Sequence, residues 1–215
     1  MNYKLPLLLL LAIGKLLIAQ ETLKPFVEHY GDNLVWDNFP AISEDGSHYL
    51  IVYNEYSCCI DLGFTLKKIH AKDGKVLREI ILSPGEETVA FMVDQQKSIY
   101  RNVKKLLDSN RYHTLIEVQK KIPTIDSVDN KMYIEFEMRN HVYKSEKFTI
   151  PRLPSYGFCC NGGTDIEEDC LLDQTIVRVF LSVKHEMLLI VTGLSQVADG
   201  CDQGPFYHII PMAMK

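Results

Sequence analysis

The N-terminal twenty residues constrain this chain most, because they set the redox compartment in which its six cysteines find partners. Lys4 gives a positive start, Leu5 to Ile13 is an apolar run, and Ala19-Gln20 offers a small-residue cleavage site before the polar Glu21-Thr22. That is the layout of a secretory leader, and the apolar run is shorter than the roughly 20 residues that a membrane-spanning helix needs. Lys15 interrupts the tail of the run, and Leu17 is bulky for its place two residues before the cut. The sequence predicts a leader over residues 1–20 and a secreted or periplasmic domain over 21–215. No later stretch approaches eighteen uninterrupted apolar residues, so stable membrane insertion is not expected after leader removal.

In an oxidising compartment, an even cysteine set predicts disulfides. The six are Cys58, Cys59, Cys159, Cys160, Cys170 and Cys201. Adjacent cysteines rarely bond to each other, because the intervening peptide would be strained, so each Cys-Cys pair is expected to reach two partners. The favoured local bridge runs from Cys159 or Cys160 to Cys170, with Cys201 tied to that region or to Cys58-Cys59. Zinc and redox readings are weaker. Cys-Cys lacks the two-to-four-residue ligand spacing of structural zinc sites, and no Cys-x-x-Cys is present.

After the leader, about 195 residues remain, enough for a single core, and 47% hydrophobic with 24% charged residues is ordinary globular composition. The net charge is −5, and Lys4 and Lys15 belong to the leader, so the remaining chain sits near −7. An acidic balance of that size argues against non-specific nucleic-acid binding.

Along the chain, Val35, Trp36 and Phe39 are positioned to pin an extended start to the core. Ser43-Glu44-Asp45-Gly46 reads as a tight turn that launches the apolar strand His48–Tyr53. Phe64 to Ala71 alternates loosely, the Asp73-Gly74 dipeptide favours a hairpin turn, and Val76–Leu82 leaves it as a strand. With Lys67 to Leu77, the Ser-Glu-Asp-Gly-Ser opening resembles one blade of a β-propeller repeat of the TolB, PQQ or WD kind, over residues 40–83. The resemblance implies a four-stranded antiparallel meander and no particular activity. No second Asp-Gly-Lys hairpin follows at the blade period, so a closed propeller is not expected.

Ser83-Pro84-Gly85-Glu86 has the residues of a helix N-cap and capping box. Val89, Met92, Ile99, Val103, Leu106 and Leu107 recur at helical spacing, which predicts one long helix at about 84–108, ended by Asp108-Ser109-Asn110. Strands return at His113–Val118, Met132–Met138 and Val142–Ile150, and Met132, Ile134, Phe136 and Met138 alternate strictly on one face. Pro151 and Pro154 stop that sheet and begin a loop. Gln174–Val183 and Met187–Val191 read as a hairpin across Lys184-His185-Glu186, with Phe206–Ile210 as a last strand. The predicted fold is α+β, mainly antiparallel sheet, with about nine strands and one long helix.

One segment concentrates unusual chemistry. Between Cys159 and Cys170, Asp165, Glu167, Glu168 and Asp169 share a loop with Gly162 and Gly163. Such a loop can offer several of the oxygen ligands that calcium needs, although its spacing matches no EF-hand or calcium β-roll. If a metal binds, those four carboxylates are the candidates; otherwise no cofactor is implied. The seven histidines are scattered without His-x-x-x-His or His-Glu-x-x-His spacing, and neither a Gly-x-Ser-x-Gly elbow nor a phosphate-binding glycine loop occurs. The expectation is an exported, non-enzymatic binding or scaffolding domain whose partner is a protein or small ligand. The alternative is a small secreted hydrolase or calcium-binding protein using the 159–170 loop. A sheet edge open to a partner's strand is a third mode.

Overall fold

The computed structural model describes residues 23–31, 33–57, 60–84, 93–118, 123–138, 140–154, 171–194 and 205–214. The predicted leader, all six cysteines and the acidic candidates Asp165, Glu167, Glu168 and Asp169 lie outside the described residues.

A hairpin of β1 (Phe26–Tyr30) and β2 (Asn33–Asp37) opens the fold. The strands β3 (Ala41–Ser43), β4 (His48–Ser57), β5 (Ile60–His70) and β6 (Val76–Pro84) then form a four-stranded antiparallel meander. Helix α1 (Val93–Asn110) follows, and β7 (Tyr112–Thr114) returns to pair with β3, completing a five-stranded sheet of order β6-β5-β4-β3-β7.

A single residue, Leu115, carries the chain into the second sheet. It is 4% exposed, and its N–H donates to the Pro40 carbonyl at 2.9 Å. Next come β8 (Ile116–Val118), a small ribbon of β9 (Thr124–Ile125) with β10 (Met132–Tyr133), and the pair β11 (Glu135–Met138) and β12 (His141–Ser145). A second ribbon pairs β13 (Leu153–Pro154) with β14 (Leu171–Leu172). Finally, β15 (Gln174–Ser182), β16 (Met187–Leu194) and β17 (Phe206–Met214) complete a six-stranded sheet of order β11-β12-β17-β16-β15-β8. Among the described residues the fold is mostly antiparallel sheet with one helix, as expected from the sequence.

Three apolar clusters explain why these segments fold as they do. Ile42, Tyr49, Ile51, Ile69 and Leu115 of the first sheet meet Phe180, Met187, Leu189 and Val191 of the second, so the sheets share a core. On the opposite face of the first sheet, Leu50, Leu66 and Leu82 meet Val103 and Leu106 of α1 and Val27 of β1. On the other face of the second sheet, which curls on itself, Val179, Leu181, Leu188 and Ile190 meet Phe136, Tyr143 and Met212 of its own β11, β12 and β17, together with Ile134. The strands β4 and β16 are therefore covered on both faces, which is why they read as continuous apolar runs rather than alternating ones. Where one face is open, the alternation holds. Ile134 and Phe136 are buried between exposed Glu135 and Glu137, with Met132 and Met138 packed at the margin.

Several local expectations are corrected. Ser83 and Pro84 end β6, paired with Phe64 and Gly63, so they do not cap the helix, whose described part starts at Val93. The edge of β5 offers them a tertiary partner that a local capping pattern cannot register. His113–Val118 splits at Leu115 between two sheets, and Pro154 sits in a ribbon strand instead of a loop. Val35 is 42% exposed, while Trp36 and Phe39 pack on the core as expected. Seventeen strands are described instead of about nine: His113–Val118 and Met132–Met138 each split where the chain changes sheets, and β1, β2, β3, β9, β13 and β14 are short strands without a strong periodic signal. The hairpins at Asp73-Gly74 and Lys184–Glu186 are in place. Among the described residues, no helix is long and apolar enough to cross a membrane.

Candidate functional site

Among the described residues, a dense set of polar side chains gathers where the β3–β4 turn meets the β15–β16 turn. The first turn is held by Asp45. Its Oδ1 accepts from the Ser43 hydroxyl at 2.6 Å, the Ser47 hydroxyl at 2.7 Å and the Ser47 N–H at 3.0 Å. Those donors keep the Asp45 carboxyl well below the usual carboxylate range. Gly46 completes the turn at φ +72, and a Cβ there would sit 2.6 Å from His185 Nδ1, so glycine is needed for both conformation and space.

Glu44 joins the elements. Its carboxylate accepts from Lys184 Nζ and from His113 Nε2, and its carbonyl accepts from Lys184 Nζ at 3.1 Å. Its N–H donates to the carbonyl of Asn110, the last residue of α1, at 3.3 Å. The first sheet, the second sheet and the helix end therefore meet at one residue. The Lys184 ammonium and then the His113 ring push the Glu44 carboxyl down from an ordinary 4.5 to about 2. Burial, reinforced by Lys184, lowers His185. The Nδ1 atom of His113 is enclosed without a hydrogen-bond partner among the described residues.

Beneath this rim lies a cavity of about 140 Å³. Ile42, Ile116, Leu181 and Val183 supply its apolar lining, and Glu44, His113, Ser182, Lys184 and His185 its polar one. The hydroxyls that face this region are tied into the fold: Thr114 Oγ1 donates to the Asn38 carbonyl at 3.0 Å, and Ser182 Oγ accepts the His185 N–H at 3.3 Å. Grooves of about 250 and 290 Å³ lie further along β4, around Tyr53 and Tyr207. They carry fewer converging charges than the Glu44 junction.

The site candidates singled out from the sequence cannot be placed against this junction. The disulfide candidates Cys58, Cys59, Cys159, Cys160, Cys170 and Cys201 and the acidic loop lie outside the described residues. Among the described residues, no three His, Cys, Asp or Glu side chains converge as a metal site. The sequence reading missed the Glu44 junction because its members are far apart in the chain: His113 and Lys184 lie 69 and 140 residues from Glu44. The local traces were the Ser43–Gly46 turn and the Lys184-His185-Glu186 hairpin, both read there as punctuation. No protein family, characterised protein or solved structure matches the chain.

Proposed function

We propose that the protein is an exported, non-enzymatic binding domain that takes one small group of a partner or ligand into the cavity beneath Glu44. The observation that carries this reading is the cavity itself, apolar at its base and rimmed by an ion-paired junction that fixes two sheets and a helix end. Binding sites commonly combine mostly apolar walls with a few placed polar groups. A volume of about 140 Å³ is close to the roughly 150 Å³ that accommodates a benzene-sized molecule, so the occupant is a single ring or branched side chain bearing a polar head. The preorganised rim supports binding more than chemistry, since Lys184 and His113 are already committed to Glu44 and the nearby hydroxyls to backbone groups.

The test is a fragment titration followed by ¹H–¹⁵N correlation spectra, using single-ring compounds with amine, hydroxyl or carboxyl substituents. Shifts concentrated on the amides of Thr114, Ser182 and His185, and lost in Val183→Phe, would support the reading. Shifts gathered elsewhere, or none for any fragment, would overturn it.

A further inference from the structure

Two histidines outside the cavity lining form a second feature, assembled by strand register alone. His48 on β4 and His70 on β5 are directly paired across the antiparallel ladder, an arrangement that brings side chains to the same face and within reach. Their ring centroids are 5.7 Å apart, with planes inclined at 58°.

Each ring is held by its Nδ1. His48 Nδ1 lies 2.7 Å from Ser47 Oγ, which in turn lies 2.7 Å from Asp45 Oδ1. An ionised carboxylate only accepts, so the Ser47 proton points to Asp45 and His48 Nδ1–H donates to the serine oxygen. His70 Nδ1 lies 2.8 Å from Asp73 Oδ1 and donates to it by the same logic. Asp73 is itself fixed by the Lys75 N–H at 3.0 Å. With the proton placed on Nδ1, each neutral imidazole presents an Nε2 lone pair. Neither Nε2 has a partner among the described residues, and neither belongs to the enclosed, unpartnered atoms.

Carboxylate-oriented imidazoles with free Nε2 atoms are what borderline divalent metals select. Two imidazoles binding one ion at 2.0–2.1 Å with a tetrahedral angle have ring centres about 5 Å apart. The observed 5.7 Å lies within about 1 Å of that spacing. We propose that His48 and His70 form an open, two-imidazole site for a divalent transition-metal ion of the nickel, copper or zinc kind, with water in the remaining positions. Lys68, on the same strand face as His70, places a positive charge beside His48 and opposes binding. Asp45 and Asp73 offset it through the two rings. The ion would fasten the β3–β4 turn to the β5–β6 turn.

The test uses the full exported protein, freed of metal by a chelator and kept oxidised, titrated with NiCl2 and separately ZnCl2 by calorimetry and thermal melts. Expected are one ion bound per chain and a Tm rise of about 5–10 °C at a hundredfold excess over Kd, reversed by chelator. His48→Gln and His70→Gln should each weaken binding at least about tenfold, and Asp73→Asn, which leaves both ligands in place, by about 10–100-fold. His141→Gln, on the other sheet, should leave binding unchanged. Chemical shifts of the His48 and His70 ring nitrogens on zinc addition report coordination at Nε2 directly, whatever the variants do to folding. Absence of binding would overturn the proposal, as would equal binding by the His48→Gln/His70→Gln double variant.

Discussion

Leu189→Ala tests whether the two sheets melt as one unit. Leu189 on β16 is fully enclosed and belongs to the cluster that joins Phe180, Met187 and Val191 to Ile42, Tyr49 and Ile51 of the opposing sheet. Truncating a fully buried leucine loses its transfer free energy and leaves a cavity in a close-packed interior, together about 2–5 kcal/mol. For a domain of this size, that corresponds to a fall in Tm of roughly 4–20 °C. The chain has one tryptophan, Trp36 on β2, packed 5.1 Å from Phe64 on the far side of the first sheet. Its fluorescence reports the layer remote from the mutation, while far-UV circular dichroism reports both sheets. With a shared core, urea transitions followed by the two probes shift together in Leu189→Ala. Val177→Ala, on β15 at a position 48% exposed, should change stability by no more than about 0.5 kcal/mol. A Trp36 transition that stays in place while circular dichroism splits into two steps would refute the shared core, and with it the single-domain reading.

Two glycines separate backbone strain from crowding. Gly74→Ala, at φ +69 with open space around it, should lose about 1–2 kcal/mol from left-handed backbone strain alone, by urea denaturation. Gly46→Ala, at φ +72 and against the His185 ring, should lose about 1–3 kcal/mol more; equal losses would mean the turns do not pack as described. Glu44 has a pKa depressed from 4.5 to about 2, so its contribution is complete above pH 4.5 and is lost as the pH falls through 2. Glu44→Gln should therefore show a flatter decline of unfolding free energy across that window than the parent protein, and an unchanged slope would contradict the Lys184 and His113 pairing.

The elements that were legible in the sequence are those written within about ten residues. Strict alternation placed Ile134 and Phe136 inside. The Asp73-Gly74 pair placed a turn, and Ile99, Val103, Leu106 and Leu107 drew one helix face that does pack on the core. Misreadings arose where a short-range signal competed with a distant partner. The cap-like Ser83-Pro84 is drawn into β6 by pairing with Gly63 and Phe64. His113 to Val118 looks like one strand, yet Leu115 turns into the core shared by the sheets and sends the flanking halves to different ladders. The histidines looked scattered because their meeting depends on register. His48 faces His70 only once the β4–β5 ladder, with its irregularity between Asn54 and Tyr56, is set.

By itself, then, the sequence determined the class of fold and the leader-and-cysteine expectation, because periodicity, turn chemistry and composition act locally and need no partner to be read. Tertiary structure alone decided which strands are buried on both faces and where the chain changes sheets. It also decided that Glu44, His113 and Lys184 meet over one cavity. Those outcomes depend on contacts between residues 69 and 140 positions apart, whose closure is rewarded only when both sheets are already packed.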